Sequence, residues 1–255
     1  MRNIFAIAHK ETKSYFASPI AYVVIGLFAL LYGYFFVVMV QYFVRAGLNA
    51  NPMQGSQVLN INQDLLRPVL QNITVLLLFA LPAITMRAFA EERRSGTIEL
   101  LLTSPLTDLE IILGKFFGAL TLYAAMLAVT LIHTGILFAF GSPEIKPILT
   151  SYLGLLLLGG SFISVGLFIS TLTTNQIISY MATFAVFLLL WVINWIGSFT
   201  SGAMTEVTAY LSVIEHFDDF SKGVIDTSHL IYYASLITFG LYLTAKSVDT
   251  ERWRG

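Results

Sequence analysis

Glu91-Glu92-Arg93-Arg94 is a block of four charges. A flexible Ser95-Gly96 follows it, and then Thr97-Ile98-Glu99-Leu100-Leu101-Leu102. Charges of both signs beside a short leucine-rich helix read in two ways. One is a docking surface for a partner. The other is a stop-transfer flank with leucines resting on lipid headgroups, and spacing alone does not separate them. Ser95 or Thr97 suits the N-cap of the leucine helix, and Ser104-Pro105 stops it. Thr107-Asp108-Leu109-Glu110 then has the pattern of a capping box that opens another helix.

Other reactive side chains weigh less. Glu215-His216-x-Asp218-Asp219 holds ligand types that suit zinc or calcium, but the flanking Phe217 and Phe220 favour a polar, partly helical re-entrant segment. His133 sits inside an apolar run, where an ionisable residue is a candidate proton relay or pore lining. No carboxylate in any apolar run can pair with it, so a hydrogen bond to a Thr or Ser of a neighbouring helix is preferred. That same lack of Asp and Glu argues against a proton- or sodium-driven transporter. Nothing local turns His133 and nearby serines into an activated nucleophile. Cysteine is absent, which removes thiol catalysis and thiolate metal sites. The Gly-Lys pair, Gly114-Lys115, is followed by Phe116, so there is no Gly-x4-Gly-Lys-[Ser/Thr] phosphate cradle. No catalytic residue and no metal site is assigned.

The elements that must position these residues are membrane helices. Of the 255 residues 56% are hydrophobic and 11% charged, against roughly 25% charged in a soluble domain. The net charge of −1 gives no nucleic-acid footprint. Apolar runs place six spans at 20–42, 69–86, 112–140, 148–170, 177–199 and 230–245, each a helix because lipid offers the backbone no partner. Tyr232, Tyr233 and Tyr242 read as interfacial anchors of the last. Pro82 kinks the second. Gly114-x3-Gly118 opens the third span, and Gly159, Gly160 and Gly166 lie in the fourth; both read as close helix packing. Residues 1–19 lack the unbroken apolar core of a secretory signal. They form an amphipathic helix for the membrane interface, with Ile4, Phe5, Ala8, Tyr15 and Phe16 on one side and Arg2, His9 and Lys13 opposite. Glu11 lies at the edge of the apolar arc, where it snorkels or pairs with a nearby lysine. Ser18-Pro19 ends this helix. Of the Lys and Arg residues, ten fall on the side of the termini and four on the other. The positive side, with loop 87–111, is therefore cytoplasmic. Loops 43–68 and 200–229 lie outside. The chain is expected in the bacterial inner membrane as one all-α transmembrane domain.

The run from Glu91 to Thr107 resembles the signature of ABC-2 type permeases. It is most similar to the group of the gliding-motility-associated permease and the permease of nitrous-oxide-reductase maturation. Lys10-Glu11-x4-Phe16-x-Ser18-Pro19-x2-Tyr22 resembles the same group. So does Glu215-His216-Phe217-x2-Phe220-x-Lys222-Gly223-Val224-Ile225-Asp226. The resemblance implies that Glu91 to Leu102 form a coupling helix seated in a separate ABC ATPase. Lys10, Glu11, Phe16 and Pro19 would then belong to the interfacial connecting helix. ATP and magnesium would reside in that partner, with no cofactor in this chain. The resemblance further implies a second permease chain, identical or homologous, and export of a lipid-linked, peptide or polymer-like substrate. The alternative is a non-transporting scaffold that passes the ATPase cycle to an extracytoplasmic partner through the outer loops.

Overall fold

The computed structural model describes residues 2–49, 59–102, 105–199 and 203–252. Among these the protein is helical, with no strand. Helix α1 (Arg2–Ala17) stops where Ser18 bends the chain, and α2 (Pro19–Asn49) opens on a proline. A missing N–H costs nothing at a helix start, and Ser18 Oγ accepts the Ile20 N–H at 3.3 Å. Helix α2 runs seven residues past the end of the expected span. A π-helical turn, Ile61–Leu66, is capped by Asn60, whose side chain accepts the Asn62 N–H at 2.8 Å. It leads into α3 (Arg67–Thr85), with Pro82 inside. The expected outer loop 43–68 is therefore helical at both ends.

Two five-residue helices follow, α4 (Ala90–Arg94) and α5 (Ile98–Leu102). Helix α6 (Asp108–Phe140) opens on the expected capping box, with Thr107 and Glu110 satisfying each other's backbone N–H groups. Lys115, within the expected third span at 112–140, is a buried residue of this helix. The remaining helices are α7 (Ile145–Thr171), α8 (Gln176–Phe199), α9 (Ala203–Leu211), α10 (Val213–Ser221) and α11 (Thr227–Arg252). The expected loop 200–229 thus contains two helices.

Helix α7 is the hub, packed by α3, α6, α8, α10 and α11. Small residues make this possible. Gly159 lies under the Tyr123 ring, Gly166 against the Thr85 side chain, and Gly154 against Phe217 and Phe220. A Cβ on Gly160 would sit 3.3 Å from Ile237. Phe162 of α7 stacks on Phe187 of α8, with centroids 4.2 Å apart. Within the membrane, where burial in lipid and in protein differ little, such close contact is what holds helices together.

Five helical stretches among the described residues are long and apolar enough to cross a membrane: Pro19–Asn49, Ile61–Arg94, Asp108–Phe140, Ile145–Thr171 and Gln176–Ile193. The sixth expected span lies within α11. That helix runs along α7 from His229, beside α10, to Ser247, whose Oγ accepts from Thr171 Oγ1 at 2.8 Å. Its tyrosines do not divide as lipid anchors. Tyr233 is buried and donates to Val213 O at 2.8 Å, and Tyr232 donates to Leu211 O at 2.9 Å, while Tyr242 is exposed.

Among the described residues His133 makes no hydrogen bond to a Thr or Ser. Its ring meets Tyr32 and Phe36 of α2 edge-on, each at 5.0 Å, and Nδ1 has no partner among the described residues. The aromatic contact replaces the polar one.

Candidate functional site

The charged block at 91–94 is fixed to the bundle from three directions. Helix α3 ends after Pro82, and Met86 N–H donates to Pro82 O at 2.9 Å. The chain turns there, and the amides of Phe89 and Ala90 at the start of α4 need acceptors. Ser170, at the end of α7, supplies one oxygen to both, at 3.0 and 3.1 Å, and donates to Met86 O at 3.3 Å. A single buried hydroxyl therefore clamps the turn.

Lys115 is the second anchor. Its side chain is 3% exposed, and Nζ donates to Glu92 Oε1 at 2.7 Å and to Glu11 Oε1 at 3.1 Å. It also lies over the Phe89 ring, 5.1 Å from the centroid. A buried cation is tolerated only when paired and hydrogen-bonded, and here the two carboxylates come from α4 and α1. Helix α1 can deliver Glu11 because α6 presents glycines to it. A Cβ on Gly114 would lie 2.5 Å from Ile7, and one on Gly118 would lie 2.6 Å from the Glu11 Cβ. The packed face of α1 therefore includes Ile7 and Glu11, while Phe5 is 73% exposed. Glu11 does find a lysine, from another helix.

Arg87 is the third. It grips Glu91 with Nε and Nη2 at 2.8 and 3.1 Å and reaches Ser18, between α1 and α2, at 3.2 Å. Nearby, the Tyr15 hydroxyl donates to Ile84 O at 3.1 Å. Burial pushes this phenol well up, so it remains a neutral donor.

Beyond Glu92 the segment turns outward. Gly96 takes φ 69°, and the amides of Gly96 and Thr97 return to Arg93 O and Glu92 O at 3.3 and 3.0 Å. This is the Schellman closure of a helix, which favours glycine because a Cβ at positive φ is strained. Ser95 closes α4 with its hydroxyl on Glu91 O at 2.9 Å, so it does not cap α5. Arg94, Ser95, Gly96, Thr97, Glu99 and Leu100 are exposed, Leu100 at 72%. Ile98 is half-buried, and the side chains of Leu101 and Leu102 lie outside the described residues. The expected Ser104-Pro105 stop is partly outside them as well.

The predicted coupling residues therefore divide. Glu91 and Glu92 bind the bundle, and Arg94 to Thr97, Glu99 and Leu100 are exposed. Lys10 and Glu11 line a polar cleft with Arg87, Glu91, Glu92 and Lys115, Phe16 packs at the core's edge, and Pro19 starts α2. Nothing in the sequence marks Ser170, Ser18 or Arg87 as clamps, nor Glu11 and Glu92 as the carboxylates that Lys115 of the expected third span meets.

At the opposite end, Asp218 accepts from Arg67 at 2.5 Å and Gln71 at 2.8 Å and pairs with Lys222 at 2.6 Å. Asp219 bonds His229 and the same Lys222, so the two aspartates meet at that ammonium, and Phe217 and Phe220 are buried against α7.

Comparison with known proteins bears on the chain as a whole. A family model described as ABC-2 family transporter protein matches residues 5–246. Over 150 residues the chain is 29% identical to the probable multidrug ABC transporter permease YbhR of Escherichia coli (strain K12). The match covers 55% of this chain and 38% of that protein, and the same figures hold for YbhR of Escherichia coli O157:H7. The chain thus spans well under half the length of these curated relatives.

Proposed function

The chain belongs to the ABC-2 transporter family, and on that premise we propose that it is the permease subunit of an ATP-driven exporter whose ATPase is a separate chain. The observation that carries the coupling role is the divided segment 91–100. Its inner half is bound to α1, α6 and α7 through Glu11, Lys115 and Ser170. Its outer half presents Arg94 to Leu100. A push on the outer half is carried into long helices instead of being lost in a loop.

The mechanism follows. ATP closes two ATPase subunits on each other, and each moves the segment seated on it. One segment per chain and two nucleotide sites per transporter call for a second permease chain about a two-fold or pseudo-two-fold axis. ATP shifts the inward and outward populations only by its differential affinity for them. Six crossings are proposed, with α11 as the sixth, because it reaches from the α10 end of the bundle to the Thr171 end. The segment and both described ends of the chain then lie in the cytoplasm, which agrees with the Lys and Arg excess, at a bacterial inner membrane. The motifs at Lys10–Tyr22, Glu91–Thr107 and Glu215–Asp226 favour the gliding-motility and nitrous-oxide-reductase-maturation group within the family.

The cysteine-free sequence makes the test direct. Leu100→Cys gives a single thiol at the centre of the exposed half. A short thiol-to-amine cross-linker on native membranes should join this position to a P-loop ATPase, and Ile225→Cys, exposed in the expected outer loop, should not join it. Both readings need the ATPase, so its absence from the Leu100→Cys products would contradict the coupling role, whereas a cross-link from Ile225→Cys to an extracytoplasmic protein would favour the scaffold reading.

A further inference from the structure

His216 on α10 and His229 on α11 face each other with their Nδ1 atoms 2.7 Å apart. Their other nitrogens are committed. His216 Nε2 lies 3.0 Å from the Tyr210 carbonyl oxygen, which only accepts, so this nitrogen carries a hydrogen. His229 Nε2 lies 2.9 Å from Asp219 Oδ2, and a carboxylate again only accepts. Two neutral rings so arranged would aim two Nδ1 lone pairs at each other. That contact is repulsive unless a cation lies between.

Distance decides which cation. A zinc ion bound at about 2.0–2.1 Å to each imidazole in tetrahedral geometry holds the two nitrogens roughly 3.3 Å apart. The observed 2.7 Å is shorter and is the length of a hydrogen bond. Among the described residues no set of three or more His, Cys, Asp or Glu side chains is disposed to hold a metal. We propose that His216 and His229 share one proton, and that this proton latches α10 to the first turn of α11.

The surroundings suit a single positive charge. Asp219 faces His229, and its hydrogen bonds from His229 and Lys222 hold it below the usual carboxylate range. Glu215 and Asp226 add negative charge at longer range. Asp218 is occupied by Arg67 of α3 and by Lys222. Tyr210 of α9 and Tyr232 and Tyr233 of α11 present neutral rings, with Tyr232 stacked on His216 at 3.8 Å. Helix α8 carries no charged side chain, and Lys146 of α7 is exposed. A second proton is opposed, since burial holds His216 below the ordinary imidazole range and His229 lies against it.

The sign follows from the hydrogen bonds. One proton satisfies all three links from Tyr210 to Asp219. Losing it as pH rises breaks one of them. A second proton at low pH sets two like charges face to face. The latch therefore holds in a window and opens on both sides. On the sidedness proposed above, a reading this clause alone rests on, it samples the outer compartment.

The test uses the full chain in lipid nanodiscs with 15N-labelled histidine, titrated from about pH 5 to 9, the range in which imidazoles change charge. Hydrogen exchange over Val213–Ser221, corrected for intrinsic rates, is followed in parallel. The latch predicts that both histidines change together as one coupled unit. Protection of α10 should fall by about tenfold or more as the proton leaves, the worth of one charge-assisted hydrogen bond. His229→Gln and His216→Gln should each remove the pH dependence. Independent titration of the two rings, or α10 protection that is flat across the range, would overturn the proposal. So would protection that follows added zinc or chelator and ignores pH. The wild-type titration decides the matter even if a variant fails to fold, and it does so whether or not the chain couples to an ATPase.

Discussion

Lys115 Nζ stands 2.7 Å from Glu92 Oε1 with its side chain almost wholly enclosed. A cation inside α6 thus holds the start of the exposed segment, and Glu11 of α1 completes the pair of carboxylates that neutralise it. Removing the cation should therefore hurt more than removing the whole group. Lys115→Met leaves two carboxylates facing each other. The loss should be about 3–5 kcal/mol, as is typical of one broken partner of a buried pair, since the side chains of Glu11 and Glu92 are only 15% and 18% exposed. The triple variant with Glu11→Gln and Glu92→Gln should recover a large part of it. Thermal melting in detergent measures both, and a triple variant less stable than Lys115→Met would refute the arrangement.

The seat of α1 on α6 depends on the space left by two glycines. Gly118→Leu should drive Glu11 away from Lys115, with an overpacking cost of about 1–3 kcal/mol and faster proteolysis within residues 2–17. Gly135→Ala on the same helix meets nothing within 4 Å. It should be neutral or stabilise by up to about 1 kcal/mol, since glycine is unfavourable in a helix interior. Equal melting shifts for the two variants would contradict the packing described.

Ser170 answers two amides at once. Ser170→Ala leaves the Phe89 and Ala90 N–H groups buried without an acceptor, a penalty of about 1–3 kcal/mol for each such group. Hydrogen exchange at 89–94 should accelerate, with exchange in α8 unchanged.

How much of this is legible in the sequence depends on the range of the signal. The capping box at Thr107, the break at Ser18-Pro19 and the helical character of the chain are local or compositional, and they can be read directly. The close approach of Gly159 to Tyr123 and of Gly166 to Thr85 follows the small-residue pattern, although not the identity of the partners. Ser170 and Lys115 are different, because their roles depend on which helices meet, and a serine at a helix end carries no mark of the turn it clamps. His133 misleads in the opposite way. An imidazole within an apolar run suggests a hydroxyl partner, yet the sequence cannot reveal that two aromatic rings of α2 stand across from it. The histidine pair at the other end also joins residues on separate helices, and only one of them lies in the acidic motif.

Acid should weaken the α10 end in a defined direction. Burial alone would raise Asp218, but hydrogen bonds from Lys222 and Arg67 outweigh it and hold the carboxyl below its ordinary range. A depressed carboxylate contributes stability above its unfolded value, and that contribution disappears as pH falls through the folded one. The melting advantage of the wild type over Asp218→Asn should thus be present at neutral pH. It should shrink below about pH 4, the ordinary carboxylate range. An advantage that grows with acid would reverse the assignment.

The central claim is that Arg94 to Leu100 form the surface on which an ATPase acts. Leu100→Asp places a charge at an exposed position, so insertion and melting temperature should match the wild type. The decisive measurement is affinity purification of both proteins from native membranes in mild detergent, with co-purifying proteins identified and ATP hydrolysis assayed. The account predicts a P-loop ATPase with the wild type and its loss, or loss of its stimulation, with Leu100→Asp. An ATPase that co-purifies with the variant at full amount and full stimulation would contradict it.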